Sequence, residues 1–450
     1  MLSQYLINRN NSARACAFAQ IFKCIPSLGR SIGRRNRSGW TVPGALLLAS
    51  CWQLVCGSQL YGLPPDMNAA ATAKAEADLE ARAHIPIDLP GPKAVGDFTS
   101  FDAPGAVKGT FPSKISQTGI VTGYYNDANY LSHGFLRAQN GNFTTFDVHG
   151  AINGTSPTGI NSEAVITGSY FDVNYLAHGF VRDTNGAIAT FHAPGAAVIG
   201  TLPSDINPAG TITGYYYDAN VVVHGFVRAQ NGTLTTFDAP GAGTSGEFNG
   251  TYAVCIAPDG TVVGMYTDVN NAPHGFLRTS NGIFTTFDPP GSIGIIVEYS
   301  FGQNLYVNSD GVVTGTYFEP IPGNPFGGNY RVFERARDGT ITTFDAATYP
   351  PCCIWSFPSG ITPTGVITGS FSDGLGLDHG FLRGTDGSIT TFDAPYAGRG
   401  INLGTAPLGI TPEGEIMGLY LDANRMSHGF ILQTPPSGNG RPPEAESKAR

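Results

Sequence analysis

Residues 204–240 read SDINPAGTITGYYYDANVVVHGFVRAQNGTLTTFDAP, and this stretch decides the fold. Its β-branched and aromatic residues form short runs separated by Pro, Gly, Asn and Asp, which is typical of strands joined by turns. Asn231-Gly232 is a preferred pair for a two-residue hairpin turn. Four antiparallel strands are predicted, ending near residue 207 and spanning 211–217, 223–228 and 233–238. A unit of about 45–50 residues with four strands has the size of one β-propeller blade.

Three markers from this stretch recur along the chain, and each of them indicates seven units. His-Gly-Phe begins at His133, His178, His224, His274, His379 and His428, with a degenerate copy at Tyr330-Arg331-Val332-Phe333. Thr-Phe-Asp or a close variant is centred on Phe101, Phe146, Phe191, Phe237, Phe287, Phe344 and Phe392. A glycine stands eight residues after an Ile or Val at Gly123, Gly168, Gly214, Gly264, Gly315, Gly369 and Gly418. The sequence therefore predicts an all-β protein, a seven-bladed β-propeller of four-stranded antiparallel blades over residues 96–433.

The order of the markers at the two ends predicts a closed ring. The repeats begin with an isolated fourth strand at 98–102 and end with a third strand at 428–432 that has no fourth strand after it. Pairing the two would complete the last blade and remove two exposed strand edges. An open array would instead need polar capping units, and none is visible in the sequence.

The repeat resembles the HAF-repeat family of bacterial extracellular proteins. The resemblance rests on Gly159-Ile160-Asn161, the His-Gly-Phe copies and the Asn-Gly-x-x-Thr-Thr-Phe-Asp pattern, and it covers about 340 residues. The family unit has His-Ala-Phe where this chain has His-Gly-Phe. The resemblance implies an extracellular, propeller-like repeat protein and no general catalytic activity.

The sequence outside the repeats predicts that the protein is exported. Seven basic residues and no acidic residue precede Asp66, and residues 34–37 are followed by a short apolar run, so 1–50 is interpreted as an export signal region. Residues 51–95 are interpreted as a partly helical or disordered tether and 434–450 as a disordered tail. Leu48-Ala49-Ser50-Cys51 resembles a lipobox, which would lipidate Cys51 and provide the only membrane attachment. Ordinary signal cleavage between Ala49 and Gly57, a twin-arginine signal and a mitochondrial presequence stay open, and the expected location is extracytoplasmic.

Composition and motifs exclude several function classes. The net charge of −9 argues against nucleic-acid binding, which needs clustered Lys and Arg. The sequence contains no nucleophile–base motif, phosphate loop or zinc pattern, so no catalytic residue, metal ligand or cofactor is assigned. Cys255, Cys352 and Cys353 lie in the repeats without regular spacing, and the last two are either reduced or disulfide-bonded.

Repeated polar residues are interpreted as structural. Each His of His-Gly-Phe stands six residues after a loop Asp, and a bond from the imidazole to a carboxylate or carbonyl would pin that loop. Asp-x-Asn recurs in the same loops, as at Asp127 and Asn129, and both residues favour turns through their side chains. Oxygen ligands of this kind can also hold Ca²⁺, which is the one cofactor left open.

Function is expected where the repeat is broken. In a four-stranded blade, the strand 2–3 loop and the connection to the next blade lie on one face, here called the loop face. Long inserts at 241–252, 291–302, 319–329 and 346–358 crowd one sector of it. Aromatic and acidic side chains there can stack on a sugar or dock a protein, or they pack only on one another. The candidate ligand-binding residues are Tyr299, Glu298, Glu319, Phe326, Tyr349, Trp355 and Phe357.

Two functions follow from these observations. The preferred one is an exported, non-enzymatic binding or scaffold protein that recognises a glycan or a protein through the irregular loops. The alternative is a hydrolase or lyase acting on polysaccharide, for which paired carboxylates about 5–10 Å apart would be required.

Overall fold

The computed structural model describes residues 96–246, 248–296, 304–320, 328–346, 355–373 and 376–434. All regular elements in these ranges are β-strands, which confirms the all-β prediction. None of the described elements is a helix long and apolar enough to cross a bilayer. The predicted export signal, the tether through residue 95 and residues 435–450 of the tail lie outside the described residues.

The strands are numbered in chain order. They are β1 (Asp97–Phe101), β2 (Thr110–Ile115), β3 (Val121–Asn126), β4 (Ser132–Arg137), β5 (Phe143–Phe146), β6 (Thr155–Ile160), β7 (Ile166–Phe171), β8 (Ala177–Arg182), β9 (Ile188–Phe191), β10 (Thr201–Ile206), β11 (Ile212–Tyr217), β12 (Val223–Arg228), β13 (Leu234–Phe237), β14 (Gly250–Ile256), β15 (Val262–Thr267), β16 (Pro273–Arg278), β17 (Phe284–Phe287), β18 (Ile295–Ile296), β19 (Leu305–Val307), β20 (Val313–Pro320), β21 (Gly328–Arg335), β22 (Ile341–Phe344), β23 (Trp355–Ile361), β24 (Ile367–Ser372), β25 (Asp378–Arg383), β26 (Ile389–Phe392), β27 (Gly404–Ile410), β28 (Glu415–Leu421) and β29 (Ser427–Gln433).

Consecutive strands form antiparallel four-stranded units, here called units 1 to 7 in chain order. Units 1 to 4 are β2–β5, β6–β9, β10–β13 and β14–β17, and unit 6 is β23–β26. Unit 5 is irregular, because both β18 and β19 pair with β20 before β21 and β22 complete it. Unit 7 is β27, β28, β29 and β1.

The first and last parts of the chain meet as the marker order predicted. Strand β1 pairs antiparallel with β29, from Asp97 opposite Gln433 to Phe101 opposite Gly429. The Ser427 hydroxyl then donates to the carbonyl oxygen of Thr110 at 2.8 Å, which joins unit 7 to unit 1. The repeats therefore close on themselves.

Single parallel bridges also connect neighbouring units, so the sheets are mixed where purely antiparallel blades were expected. One bridge pairs Val223 of unit 3 with Gly250 of unit 4. A Cβ on Gly250 would lie 2.0 Å from the carbonyl oxygen of Val223, and its φ is +126°. Only glycine permits this approach, and equivalent bridges link Ser132 with Gly154, Ala177 with Gly200, and Asp378 with Gly404.

The phenylalanine of the Thr-Phe-Asp marker packs between units. Its ring lies 5.8–6.2 Å from the His-Gly-Phe phenylalanine of the next unit, and an arginine of that unit lies over its face. The arginine-to-ring distances are 4.5–5.3 Å for Arg182, Arg228, Arg278, Arg335 and Arg383. Each such contact is worth about 0.5–1.5 kcal/mol beyond area burial, so the repeat stabilises the junctions between units.

Candidate functional site

The repeated histidines are held between two carboxylates. In unit 1, Nδ1 of His133 donates to Asp147 at 3.0 Å, while its Nε2 lies 3.8 Å from the loop residue Asp127. The ring also stacks on Tyr125 at 5.1 Å. Because the β4–β5 register sets Gly134 opposite Phe146, the preceding and following residues, His133 and Asp147, are brought together. The closer partner is therefore the acid after strand 4, whereas the sequence had suggested the loop Asp.

The same arrangement recurs with two informative exceptions. It pairs His224 with Asp238, His274 with Asp288, His379 with Asp393, and His428 with Asp102. In unit 2, His192 replaces the second carboxylate, and His178 instead contacts the loop Asp172 at 3.2 Å. In unit 5, Arg331 replaces the histidine and binds Asp345 and Glu319. A nitrogen donor beside acceptor groups from its own blade is thus the recurring feature, which supports the structural interpretation.

His379 is the most buried of these histidines, with 7% of its side chain exposed. Burial alone would lower its pKa, but the carboxylates of Asp373, 3.7 Å from Nε2, and Asp393, 2.8 Å from Nδ1, raise the pKa to about 9. It therefore carries a positive charge at neutral pH. The placement of a histidine between the loop Asp and the acid after strand 4 is here called the histidine clamp.

The Asp-x-Asn loops use their acid to hold the backbone. The Asp127 carboxylate accepts the N–H groups of Asn129 at 2.7 Å and Leu131 at 2.9 Å, and these bonds lower its pKa. The next loop residue, Tyr130, has a φ of 63°. This left-handed conformation recurs, with φ of 61–64°, at Tyr175, Val221, Asn271 and Arg425. A non-glycine residue there costs about 1–2 kcal/mol, and such strain is often found at binding sites.

The loop face displays most of the exposed large apolar side chains. Nine such side chains occur in the described ranges, and eight of them lie in strand 2–3 loops or between units: Val107, Tyr130, Val173, Val198, Val269, Ile293, Tyr396 and Ile401. Only Ile283 lies on the opposite face, in the β16–β17 hairpin. In the described ranges, the exposed large apolar side chains are therefore concentrated on the loop face.

The structure describes three of the seven predicted ligand-binding residues. Glu319 forms an ion pair with Arg331 at 3.0 Å, the Trp355 ring lies 5.4 Å from Tyr330, and Phe357 is buried beside the same tyrosine. Each of the three is engaged in contacts within the chain. The remaining candidates, and the proposed lipidation site, lie outside the described residues: Glu298, Tyr299, Phe326, Tyr349 and Cys51.

The ends of the first strands of all seven units line one cavity, and the passage they surround is here called the central channel. A second polar cluster lies there, at the strand ends away from the loop face, and the sequence analysis missed it. The ammonium group of Lys114 lies 3.3 Å from the carboxylate of Asp205 and 5.6 Å from the centre of the Tyr306 ring. The Asp205 carboxylate also accepts from the Cys255 thiol and the Ile256 N–H, both at 3.1 Å. These four side chains, Lys114, Asp205, Cys255 and Tyr306, come from units 1, 3, 4 and 5 and are called the channel cluster.

Its members occupy one position of the repeat. This position precedes the Ile or Val at the end of the first strand, and it is glycine in units 2, 6 and 7 (Gly159, Gly360 and Gly409). The signal in the sequence that could have revealed this cluster was the presence of Lys, Asp, Cys and Tyr at a position that is glycine in the other units. Burial and the nearby Asp205 raise the pKa of the Cys255 thiol to about 12, so this cysteine is not a nucleophile at neutral pH.

Comparisons with known proteins add resemblances in architecture. No family model matches the sequence, and no curated protein is significantly similar to it. Among solved structures, virginiamycin B lyase from Staphylococcus aureus is 14% identical, over 75% of this chain and 99% of that one, with a TM-score of 0.47. TolB from Acinetobacter baumannii is 13% identical over 85% and 74%, with a TM-score of 0.36. The polysaccharide lyase Uly1 is 8% identical over 79% and 95%, with a TM-score of 0.44. Because all three TM-scores are below 0.5, these similarities assign no function to this chain.

Proposed function

We propose that this chain is an exported seven-bladed β-propeller that binds a protein partner through its loop face and performs no catalysis. The exposed apolar side chains on that face carry the proposal. Six of the eight are aliphatic and two are tyrosines. Aliphatic groups favour contact with apolar protein surface, whereas sugar recognition depends mainly on aromatic stacking.

Seven blades are supported by the seven sequence units and by the closure of unit 7 through β1. Unit 5, with its two short first strands, is the irregular blade. An extracytoplasmic location is supported by the basic, acid-free N-terminal sequence and by the resemblance to HAF-repeat proteins.

Strained loop residues are a second support. Tyr130 combines a φ of 63° with 47% exposure, so the loop holds an aromatic ring in solvent at a backbone position better suited to glycine. The chain accepts this cost where a side chain can meet a partner.

The alternative of a polysaccharide hydrolase or lyase has weaker support. Of the three insert glutamates, Glu319 is described, and it is bound to Arg331 together with Asp345. A carboxylate neutralised in this way is a poor general acid or base. The other two, Glu247 and Glu298, lie outside the described residues.

Binding can be tested with matched variants of the two faces. The full chain and a Tyr130→Ser/Val173→Ser variant are used to capture proteins from the extracytoplasmic fraction of producing cells, with Ile283→Ser as the control on the opposite face. We expect the same partner to be captured by the wild type and the control but lost by the loop-face variant. Equal capture by all three would contradict the proposal. Binding of the same chains to a glycan array, without capture of a protein, would identify the partner as a glycan.

A further inference from the structure

The channel cluster lies in a cavity at the end of the channel opposite the loop face. The cavity has a volume of about 170 Å³ and is lined by residues from the first strands of all seven units and the turns that follow them. The exposed residues Gln117 and Ser309 lie at its rim, which provides an entrance. At about 30 Å³ per water molecule, the space suits a ligand of roughly five or six non-hydrogen atoms.

Most of the wall is apolar. Each unit contributes one aliphatic side chain from the same register position: Ile115, Ile160, Ile206, Ile256, Val307, Ile361 and Ile410. A ligand that fills the cavity therefore has a hydrocarbon part.

Lys114 places a cation in the cavity wall. Its ammonium group has three N–H donors, and Asp205 occupies one side of it.

Asp205 does not prevent an anion from binding to Lys114. Its carboxylate already accepts from Lys114, the Cys255 thiol and the Ile256 N–H. Elsewhere in this chain Arg331 is held between two carboxylates, those of Asp345 and Glu319. A ligand carboxylate on the free side of Lys114 would complete the same arrangement.

We propose that this cavity binds a small organic carboxylate with a chain of two or three carbons. The carboxylate binds the ammonium group of Lys114, and the hydrocarbon chain contacts the aliphatic side chains of the wall. This site is separate from the loop face and does not depend on the function proposed for it.

Thermal unfolding of the full chain in sodium propionate tests the site. We expect the melting midpoint to rise with propionate relative to sodium chloride of equal ionic strength, because a ligand that binds only the folded state stabilises it. Sodium formate, which has the carboxylate without the hydrocarbon chain, should give a smaller rise. No rise with propionate, or an equal rise with formate, would overturn the proposal.

Variants locate the effect. Lys114→Met should weaken propionate binding about ten-fold or more, as expected for the loss of a hydrogen bond to a charged group. If that variant is unstable because Asp205 is left unpaired, Lys114→Met/Asp205→Asn removes both charges and should give the same loss. Lys108→Met removes a lysine from the loop face and should leave propionate binding unchanged. Undiminished binding by the Lys114 variants, or an equal loss in the Lys108 variant, would contradict the assignment.

Discussion

His428 donates a hydrogen bond from Nδ1 to the carboxylate of Asp102 at 2.9 Å, although the two residues are 326 positions apart in sequence. The contact is the same one that joins His133 to Asp147 within a single hairpin. Strand β1 therefore occupies the fourth-strand position of unit 7, with the side-chain contacts that the other units make locally. The ends of the repeat region are held together by both the backbone ladder and the histidine clamp.

The first prediction concerns this closure. Phe101 is 8% exposed and packs under Arg137 of unit 1, at 4.9 Å from its guanidinium carbon. Phe101→Ala should lower the free energy of unfolding by about 3–5 kcal/mol, as expected for a buried phenylalanine. Urea unfolding followed by tryptophan fluorescence measures it. Ile283→Ala, at a residue 62% exposed, should change stability by less than about 0.5 kcal/mol, and similar effects of the two changes would contradict the closure.

The second prediction concerns pH. The folded-state pKa of His379 is raised to about 9, whereas an unfolded histidine titrates near 6.5. Because the shift is upward, the stability contributed by the charged clamp is complete below about pH 6.5 and is lost as the pH rises through 9. The stability difference between the wild type and His379→Gln should therefore shrink between pH 6 and 10, by up to about 3 kcal/mol. A difference that is constant over this range would show that His379 is not held as a cation.

The partner of the histidines could have been predicted from the sequence. The turn from Ala138 to Gly141, closed by the Gly141 N–H bonding to the Ala138 carbonyl oxygen, leads into the β4–β5 register, and that register places Asp147 opposite His133. The loop Asp127 is closer in sequence but lies 3.8 Å from the ring. Strand pairing, rather than sequence distance, decides which carboxylate binds.

The repeat pattern predicts features that every unit shares, but it does not predict contacts between residues that have no equivalent in the other units. Ring closure followed from the marker order because every unit contributes equivalent strands. The pairing of Lys114 with Asp205 crosses from unit 1 to unit 3, and no periodicity predicts it. The exposed apolar side chains of the loop face depend on which loop positions point outward, which requires the three-dimensional structure. The insert residues Glu319 and Trp355 were recognised as irregular, but their contacts with Arg331 and Tyr330 had no copy in other units from which to infer them.

The third prediction concerns loop strain. Tyr130→Gly and Tyr130→Ala both remove the exposed ring, but only glycine is at ease at a φ of 63°. The glycine variant should be more stable than the alanine variant by about 1 kcal/mol. Thermal unfolding of the two variants in parallel gives the comparison. Both variants lack the tyrosine ring, so both should also lose partner binding. The difference in stability between them therefore reports backbone strain, and the shared loss of binding reports recognition. A more stable alanine variant would contradict the left-handed assignment.

The fourth prediction concerns the unit in which arginine replaces histidine. Arg331 binds Asp345 through Nε at 2.8 Å and Nη2 at 3.0 Å, and Glu319 through Nη1 at 3.0 Å. Arg331→Met should lower the free energy of unfolding by about 2–3 kcal/mol, less than for a fully buried pair because the guanidinium is partly exposed.

Arg331→His restores the residue found at this position in the other units. The β21–β22 register sets Val332 opposite Phe344, so a histidine at 331 would lie beside Asp345 as His133 lies beside Asp147. It would lose only the contact with Glu319, and we expect it to cost less than half as much as Arg331→Met. Urea unfolding of the two variants, with Glu319→Gln as the control for the lost contact, tests this order. If histidine destabilises as much as methionine, the clamp in unit 5 does not follow the register that builds it elsewhere.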